Sequence, residues 1–133
     1  MSNRERQLKT CICAGTSLDR MLRPAILTVL YDCPKGLHGY GIEQRLVEFQ
    51  FCHRGLPDFT GLYRLLRKME SEGLLGSVLS RSKTGPAKRV YRLTARGRQC
   101  LSRWRISLLN YRDMLDDLLD RMKNVSFRQG CMK

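Results

Sequence analysis

From Asp58 to Leu74 the chain reads DFTGLYRLLRKMESEGL, and its apolar residues Leu62, Leu65, Leu66 and Met69 recur at intervals of three and four. That spacing gathers them on one buried helical face and leaves Thr60, Tyr63, Arg64, Arg67 and Lys68 to share another. Asp58 or Thr60 can cap the start, because a short side-chain oxygen accepts from backbone N–H groups that lack a helical partner there. Gly73 suits a left-handed stop. The same periodicity predicts an earlier helix from Ser17 or Asp19 to about Tyr31, through Leu18, Met21, Leu22, Ala25, Ile26, Val29 and Leu30. Pro24 interrupts that stretch unless the helix starts nearer Arg23, which makes the proline a first-turn residue. Pro34, Gly36 and Gly39 then break the chain, and Tyr40 to about Phe49 predicts a second helix buried through Ile42, Leu46 and Phe49.

Beyond Gly73 the period shortens. Gly76 to Leu79 and Arg89 to Leu93 predict two strands, carrying Val78, Leu79, Val90, Tyr91 and Leu93 and joined by a basic loop with Gly85-Pro86. Three helices followed by a basic hairpin is the order of a winged helix-turn-helix, in which the third helix enters the major groove and the hairpin reaches along the phosphates or into the minor groove. A long helix is predicted next, from Thr94 to about Asn124. Gly97, Leu101, Trp104, Leu108, Tyr111, Leu115, Leu118 and Met122 alternate in steps of four and three, a heptad seam suited to a counterpart in a second chain. An antiparallel lid over this chain's own first helix is the alternative. The fold expected is therefore mainly α with a small β hairpin. It divides into an N-terminal cysteine-containing tail (1–16), a winged-helix domain (17–93), a dimerisation helix (94–124) and a C-terminal tail (125–133).

Charge sharpens this picture. The 133 residues carry a formal charge of +13, and between Gly61 and Arg105 twelve basic residues face two acidic ones, Glu70 and Glu72. So much like charge beside the third helix calls for a polyanionic partner or an unusually basic solvent face. Between Ile106 and Lys123 three basic residues meet four acidic ones, which separates the distal part of the last helix from the basic surface. Arg64 or Arg67 is the candidate for bidentate guanine recognition, worth about 1–3 kcal/mol of discrimination. Tyr91 is expected in the strand core and His38 in a turn. No stretch approaches the ~18 apolar residues of a membrane span, and MSNRERQLKT lacks the apolar centre of a signal peptide, so a cytoplasmic protein is expected.

Several motifs together resemble the PadR family of bacterial winged-helix regulators. They are His38-Gly39-Tyr40 with Ile42; the Tyr63 helix followed by Met69-Glu70 and Glu72-Gly73-Leu74-Leu75; and Gly85-Pro86-Ala87-Lys88-Arg89-Val90-Tyr91-Arg92-Leu93-Thr94 with Gly97. Pro57-Asp58, Leu62-Tyr63-Arg64, Trp104 and Arg112 look most similar to the branch named for poly-β-hydroxybutyrate-responsive repressors. Where the common family pattern is Gly-Thr-Leu-Tyr-Pro, this chain has Thr60-Gly61-Leu62-Tyr63-Arg64, so an arginine replaces a proline. The resemblance implies that Tyr63 and its neighbours meet DNA, that Tyr40 approaches a phosphate, and that Lys83, Lys88 and Arg89 belong to the wing. With Thr60, Arg64, Arg67 and Lys68 these form the expected DNA-binding set. Leu101, Trp104, Leu108, Tyr111, Leu115, Leu118 and Met122 form the expected dimer interface. Relatives hold flat aromatic effectors near the position of Trp104, with Tyr111 one heptad on.

The function expected is a homodimeric repressor of a palindromic operator, released by a small-molecule effector. A winged-helix module that recruits an acidic protein is the competing class. An enzyme is not expected, since the chain has two histidines, no nucleophile motif, and a carboxylate cluster only at Asp113, Asp116, Asp117 and Asp120 on a solvated helix. No cofactor is required. A metal or iron–sulfur centre, and with it a metal- or thiol-sensing regulator, draws on Cys11, Cys13, Cys52 and His53, because about 20 Å of helix separates Cys13 from Cys33.

Overall fold

A computed structural model describes residues 21–49, 61–81 and 85–126. Helix α1 (Leu22–Tyr31) leads through strand β1 (Leu37–His38) into α2 (Gly39–Leu46). Helix α3 (Leu62–Ser71), strands β2 (Leu75–Ser80) and β3 (Lys88–Leu93), and the 27-residue α4 (Ala95–Arg121) complete the order. The sheet is antiparallel with β3 in the centre, flanked by β1 and β2. Val78 pairs with Val90 and Leu75 with Leu93, while Leu37 faces Tyr91 from the other edge. The architecture is a winged helix with a long helix appended.

One core joins these elements. Ile26, Leu27 and Leu30 of α1, Ile42 and Leu46 of α2, and Leu62, Leu66 and Met69 of α3 are fully enclosed, with Leu74, Leu75 and Tyr91 closing the sheet side. Each such aliphatic side chain contributes about 1.5–3 kcal/mol of transfer free energy. Helix α1 is the central member and is covered almost all round. Leu27, which the one-sided pattern passes over, is as buried as Ile26.

The helix limits follow from local chemistry. Helix α1 starts at Leu22, so Pro24 falls in the first turn, where its missing N–H has no helical acceptor to lose. Ser17 and Asp19 lie outside the described residues. Helix α2 ends at Leu46 rather than near Phe49, whose half-buried ring still packs on the core. Gly61, with no side-chain cap bond, is the N-cap of α3, in place of the Asp58 or Thr60 expected there; both of those lie outside the described residues. Leu65 is only partly buried. The C-terminal end of α3 matches expectation: Gly73 has φ +81°, Leu74 N donates to Met69 O and Gly73 N to Glu70 O. This paired arrangement satisfies two terminal carbonyls while turning the chain into β2. The two-stranded hairpin becomes three-stranded because β1 joins it, a strand of two residues with no room for a readable alternation.

Helix α4 is anchored at its base. Thr94 caps it, accepting from Gly97 N at 3.0 Å, while the threonine proton is shared between the Gly73 and Leu74 carbonyls at 2.6 and 3.0 Å. Gly97 is buried, and a Cβ there would collide with the Leu74 carbonyl. The helix ends at Arg121, one turn before the expected Asn124. Arg23 on α1 donates to both carboxylate oxygens of Glu72 at 2.9 Å, fastening the start of α1 to the end of α3. That hydrogen bond, with the Arg23 charge, holds the Glu72 carboxyl below its ordinary range.

Candidate nucleic-acid interface

Helix α3 divides sharply by face. Leu62, Leu66 and Met69 point into the core, and Tyr63, Arg64, Arg67 and Lys68 point out. Tyr63 is 48% exposed, and its ring lies against the backbone of Gly39, so a Cβ at that glycine would run into the aromatic edge. Gly39 therefore has a reason beyond its turn: it lets the third helix's tyrosine settle against the start of the second. His38 completes that corner. Its Nδ1 accepts from Gly41 N at 2.8 Å, capping α2, and its ring stands 6.3 Å from that of Tyr40. The expected turn residue is thus a helix cap in a short strand. Tyr40 is left 60% exposed on the first turn of α2.

These pieces meet in an open groove of about 290 Å³, lined by His38, Gly39, Tyr40, Tyr63, Arg67, Lys88, Arg89 and Tyr91. Five of the residues singled out in the sequence, from three separate elements, therefore share one cavity. Two tyrosines and three cations make its chemistry: aromatic faces for sugar or base edges, and ammonium and guanidinium groups for phosphate oxygens. Tyr91 sits in the core beneath, and burial, followed by the nearby Glu70 charge, pushes its phenol above the ordinary value, so it stays neutral. Arg64 and Lys68 are exposed on α3 but do not line the groove. Thr60 and Lys83 lie outside the described residues.

Arg89 is not a free wing arginine. Its Nη1 donates to Ser77 Oγ at 2.8 Å, and that hydroxyl donates to Glu70 Oε2 on α3. Sequence reading passed over Ser77 and gave Glu70 no role beyond its charge and its place in the family motif. A serine in a strand carries no signal by itself, although a single acid on an otherwise cationic face is a legible irregularity.

The long helix carries a second feature. Cys100, Leu101 and Trp104 pack against the core, whereas Tyr111, Leu115, Leu118 and Met122 are 42–52% exposed. Between α1 and the near half of α4 lies a groove of about 620 Å³, with Pro24, Thr28 and Tyr31 on one wall and Leu101, Trp104, Leu108 and Leu109 on the other. Arg98, Arg105 and Arg112 border it at seven-residue intervals. Trp104 lines this cavity and Tyr111 does not, so the two aromatics do not share it. The metal candidates Cys11, Cys13, Cys52 and His53 all lie outside the described residues, and among the described residues no group of His, Cys, Asp or Glu is placed to hold a metal. Among the same residues no helix is long and apolar enough to cross a membrane.

Comparison with known proteins gives a consistent result. The chain is similar over 77% of its length to a PadR-like transcriptional regulator from Bacillus cereus, 94% of which is covered, at 24% identity and a TM-score of 0.64. It is also similar to a PadR family transcriptional regulator from Eggerthella lenta, at 26% identity over 79% of this chain and 91% of that one, with a TM-score of 0.60. Bacillus subtilis PadR, solved in complex with operator DNA, matches at 29% identity and a TM-score of 0.56 over 65% of this chain and 48% of that one. No curated protein sequence matches. The profile of the transcriptional regulator PadR-like family fits residues 26–103, more than half of the sequence, and the chain belongs to that family.

Proposed function

We propose that this chain is a homodimeric, sequence-specific DNA-binding repressor that an effector releases from a palindromic operator. The observation that carries the reading is the groove shared by α2, α3 and β3, where Tyr40, Tyr63, Arg67, Lys88 and Arg89 face one opening. A family member of the same fold, Bacillus subtilis PadR, has been solved with operator DNA. Helix α3 is ten residues, about 15 Å, a length that fits the major groove. Arg64 and Arg67 are its candidates for guanine, with Thr60, Tyr63 and Lys68 beside them. Tyr40, Lys83, Lys88 and Arg89 hold phosphates, which fixes orientation without reading sequence.

The dimer reading rests on α4. Its apolar seam is uncovered from Tyr111 to Met122, and the charges along the helix are segregated. Arg96, Arg98, Arg103 and Arg105 lie towards its start and Asp113, Asp116, Asp117 and Asp120 towards its end. Two antiparallel copies bring the acidic half of each against the arginine-bordered groove of the other, burying the seam and pairing opposite charges. The winged domain then spans 17–93 and the dimerisation helix 94–124. Trp104, at the wall of that groove, is the proposed contact for a flat aromatic effector, and Pro57-Asp58, Trp104 and Arg112 support placement in the poly-β-hydroxybutyrate-responsive branch.

The deciding experiment measures binding of the full chain to genomic fragments, including its own upstream region, at two salt concentrations, with bound metal determined on the same sample. Tight, competitor-resistant binding to one palindrome supports the repressor, and affinity falls steeply with salt. Equal, salt-labile binding to every fragment sinks sequence recognition and favours an acidic protein as partner. Metal in the sample directs the effector search to Cys11, Cys13, Cys52 and His53.

A further inference from the structure

Glu70, Ser77 and Arg89 come from three successive elements, α3, β2 and β3, and form one chain of hydrogen bonds across the base of the wing. The order of donors is informative. The guanidinium donates to the serine oxygen and the serine proton goes to the carboxylate, so the hydroxyl is polarised from both sides by charged groups. A carboxylate bonded directly to the arginine would occupy its paired N–H edge. Through an intervening hydroxyl it holds one nitrogen and, among the described residues, leaves the other N–H donors available. The held guanidinium borders the groove that also contains Arg67 and Lys88.

We propose that Ser77, itself held by Glu70, is a positioning residue that fixes Arg89 at the rim of the groove before a DNA phosphate arrives. The inference rests on the DNA-binding reading above and adds to it two residues that need not touch nucleic acid. Its physical basis is preorganisation: an arginine already confined near its bound orientation loses less side-chain freedom on binding. It also makes wing and recognition helix one unit, because the group that aims the wing's arginine is anchored on α3.

The sign of one substitution separates positioning from plain electrostatics. If Glu70 acted only as a negative charge near DNA, Glu70→Gln would tighten binding by removing repulsion. Positioning requires the opposite, a loss of about 2–3-fold, because the charged acceptor that holds Ser77 is gone. Binding is measured with the full chain and a duplex from its own upstream region. Ser77→Ala is expected to weaken binding about 5-fold and Ser77→Thr, which keeps the hydroxyl, to stay within about 2-fold of wild type. Arg89→Gln is expected to reduce the slope of log affinity against log salt by about 0.9, the contribution of one phosphate contact. In the Arg89→Gln background Ser77→Ala changes affinity by less than about 1.5-fold, because there is no guanidinium left to position. An equal Ser77→Ala loss in both backgrounds, or tighter binding by Glu70→Gln, overturns the inference while the DNA-binding reading stands. A wild-type chain that does not bind the duplex removes both.

Discussion

The winged body and the distal half of α4 are made from similar proportions of apolar residues and end in opposite states. In the body, leucines and isoleucines from α1, α2 and α3 enclose one another completely. Along the last turns of α4 and at its C-cap, Leu115, Leu118 and Met122 repeat with heptad regularity and are left exposed among the described residues. The difference lies in the period of the pattern. A core built by short helices crossing one another closes within one copy, while a straight seam on a helix that outruns its domain can be covered only by a surface of equal length. The stability of the first is a property of one molecule, whereas in the proposed dimer that of the second depends on concentration.

A charge placed in the seam breaks this comparison most severely. In the proposed dimer Leu115→Asp inserts two unpaired carboxylates into a symmetric interface, at roughly 3–5 kcal/mol each. Sedimentation at micromolar concentration should show monomer, with the far-ultraviolet signal of the winged body retained. A dimer that persists would mean that the seam is not the interface. In the body, Leu66→Ala should lower stability by about 2–5 kcal/mol through the cavity it leaves. Chemical denaturation should give that same loss at every protein concentration once the samples are compared as monomers. Gly39→Ala tests the corner where body meets groove. Displacing the Tyr63 ring should cost about 1–3 kcal/mol and weaken duplex binding by more than Tyr40→Phe does. Removing the cap with Thr94→Val should cost about 1 kcal/mol, read as a lower melting temperature.

The smallest expected effect is set by pH. Arg23 lowers the folded-state pKa of Glu72 below its unfolded value, so the ion pair's contribution is fully present above about pH 4.3, the ordinary glutamate value. It is lost as pH falls through the lowered folded value. The pair is partly solvated, which keeps the effect small. Melting curves from pH 7 to 3 should converge for wild type and Glu72→Gln at the acid end. Parallel curves throughout would remove this pair from the acid response.

How far these regions could be read from sequence follows from the same contrast. The face of α3 was legible because that helix has one dry side, so periodicity reports burial directly, and the stop at Gly73 was legible because a glycine there suits a left-handed turn. The seam of α4 is regular in sequence, but from Tyr111 onward it is exposed in the chain. Helix α1 was harder. With Leu27 as covered as Ile26, the helix has scarcely any wet side, and its pattern underestimates its central place. Strand β1 could not be read from two residues. Tyr40, Tyr63, Arg67, Lys88 and Arg89 were named from charge, aromatic character and the family resemblance, but that they line one groove was not visible in one dimension. Nor were the bonds through Ser77, because a hydroxyl gains its meaning from neighbours seven and twelve positions away.

The anchorage of α4 at Thr94 has a consequence for scale. A 27-residue helix is about 40 Å long, tied at its base by the Thr94 hydroxyl to the turn that ends α3 and packed on the core through Cys100, Leu101 and Trp104. It forms a lever whose base lies beside the end of α3. A tilt of about 10° at the base sweeps the tip through about 7 Å, roughly two base-pair steps of 3.4 Å. In the proposed dimer two such levers are clasped along their shafts, so that a small change at the groove between α1 and α4 would be magnified at the separation of the two α3 helices.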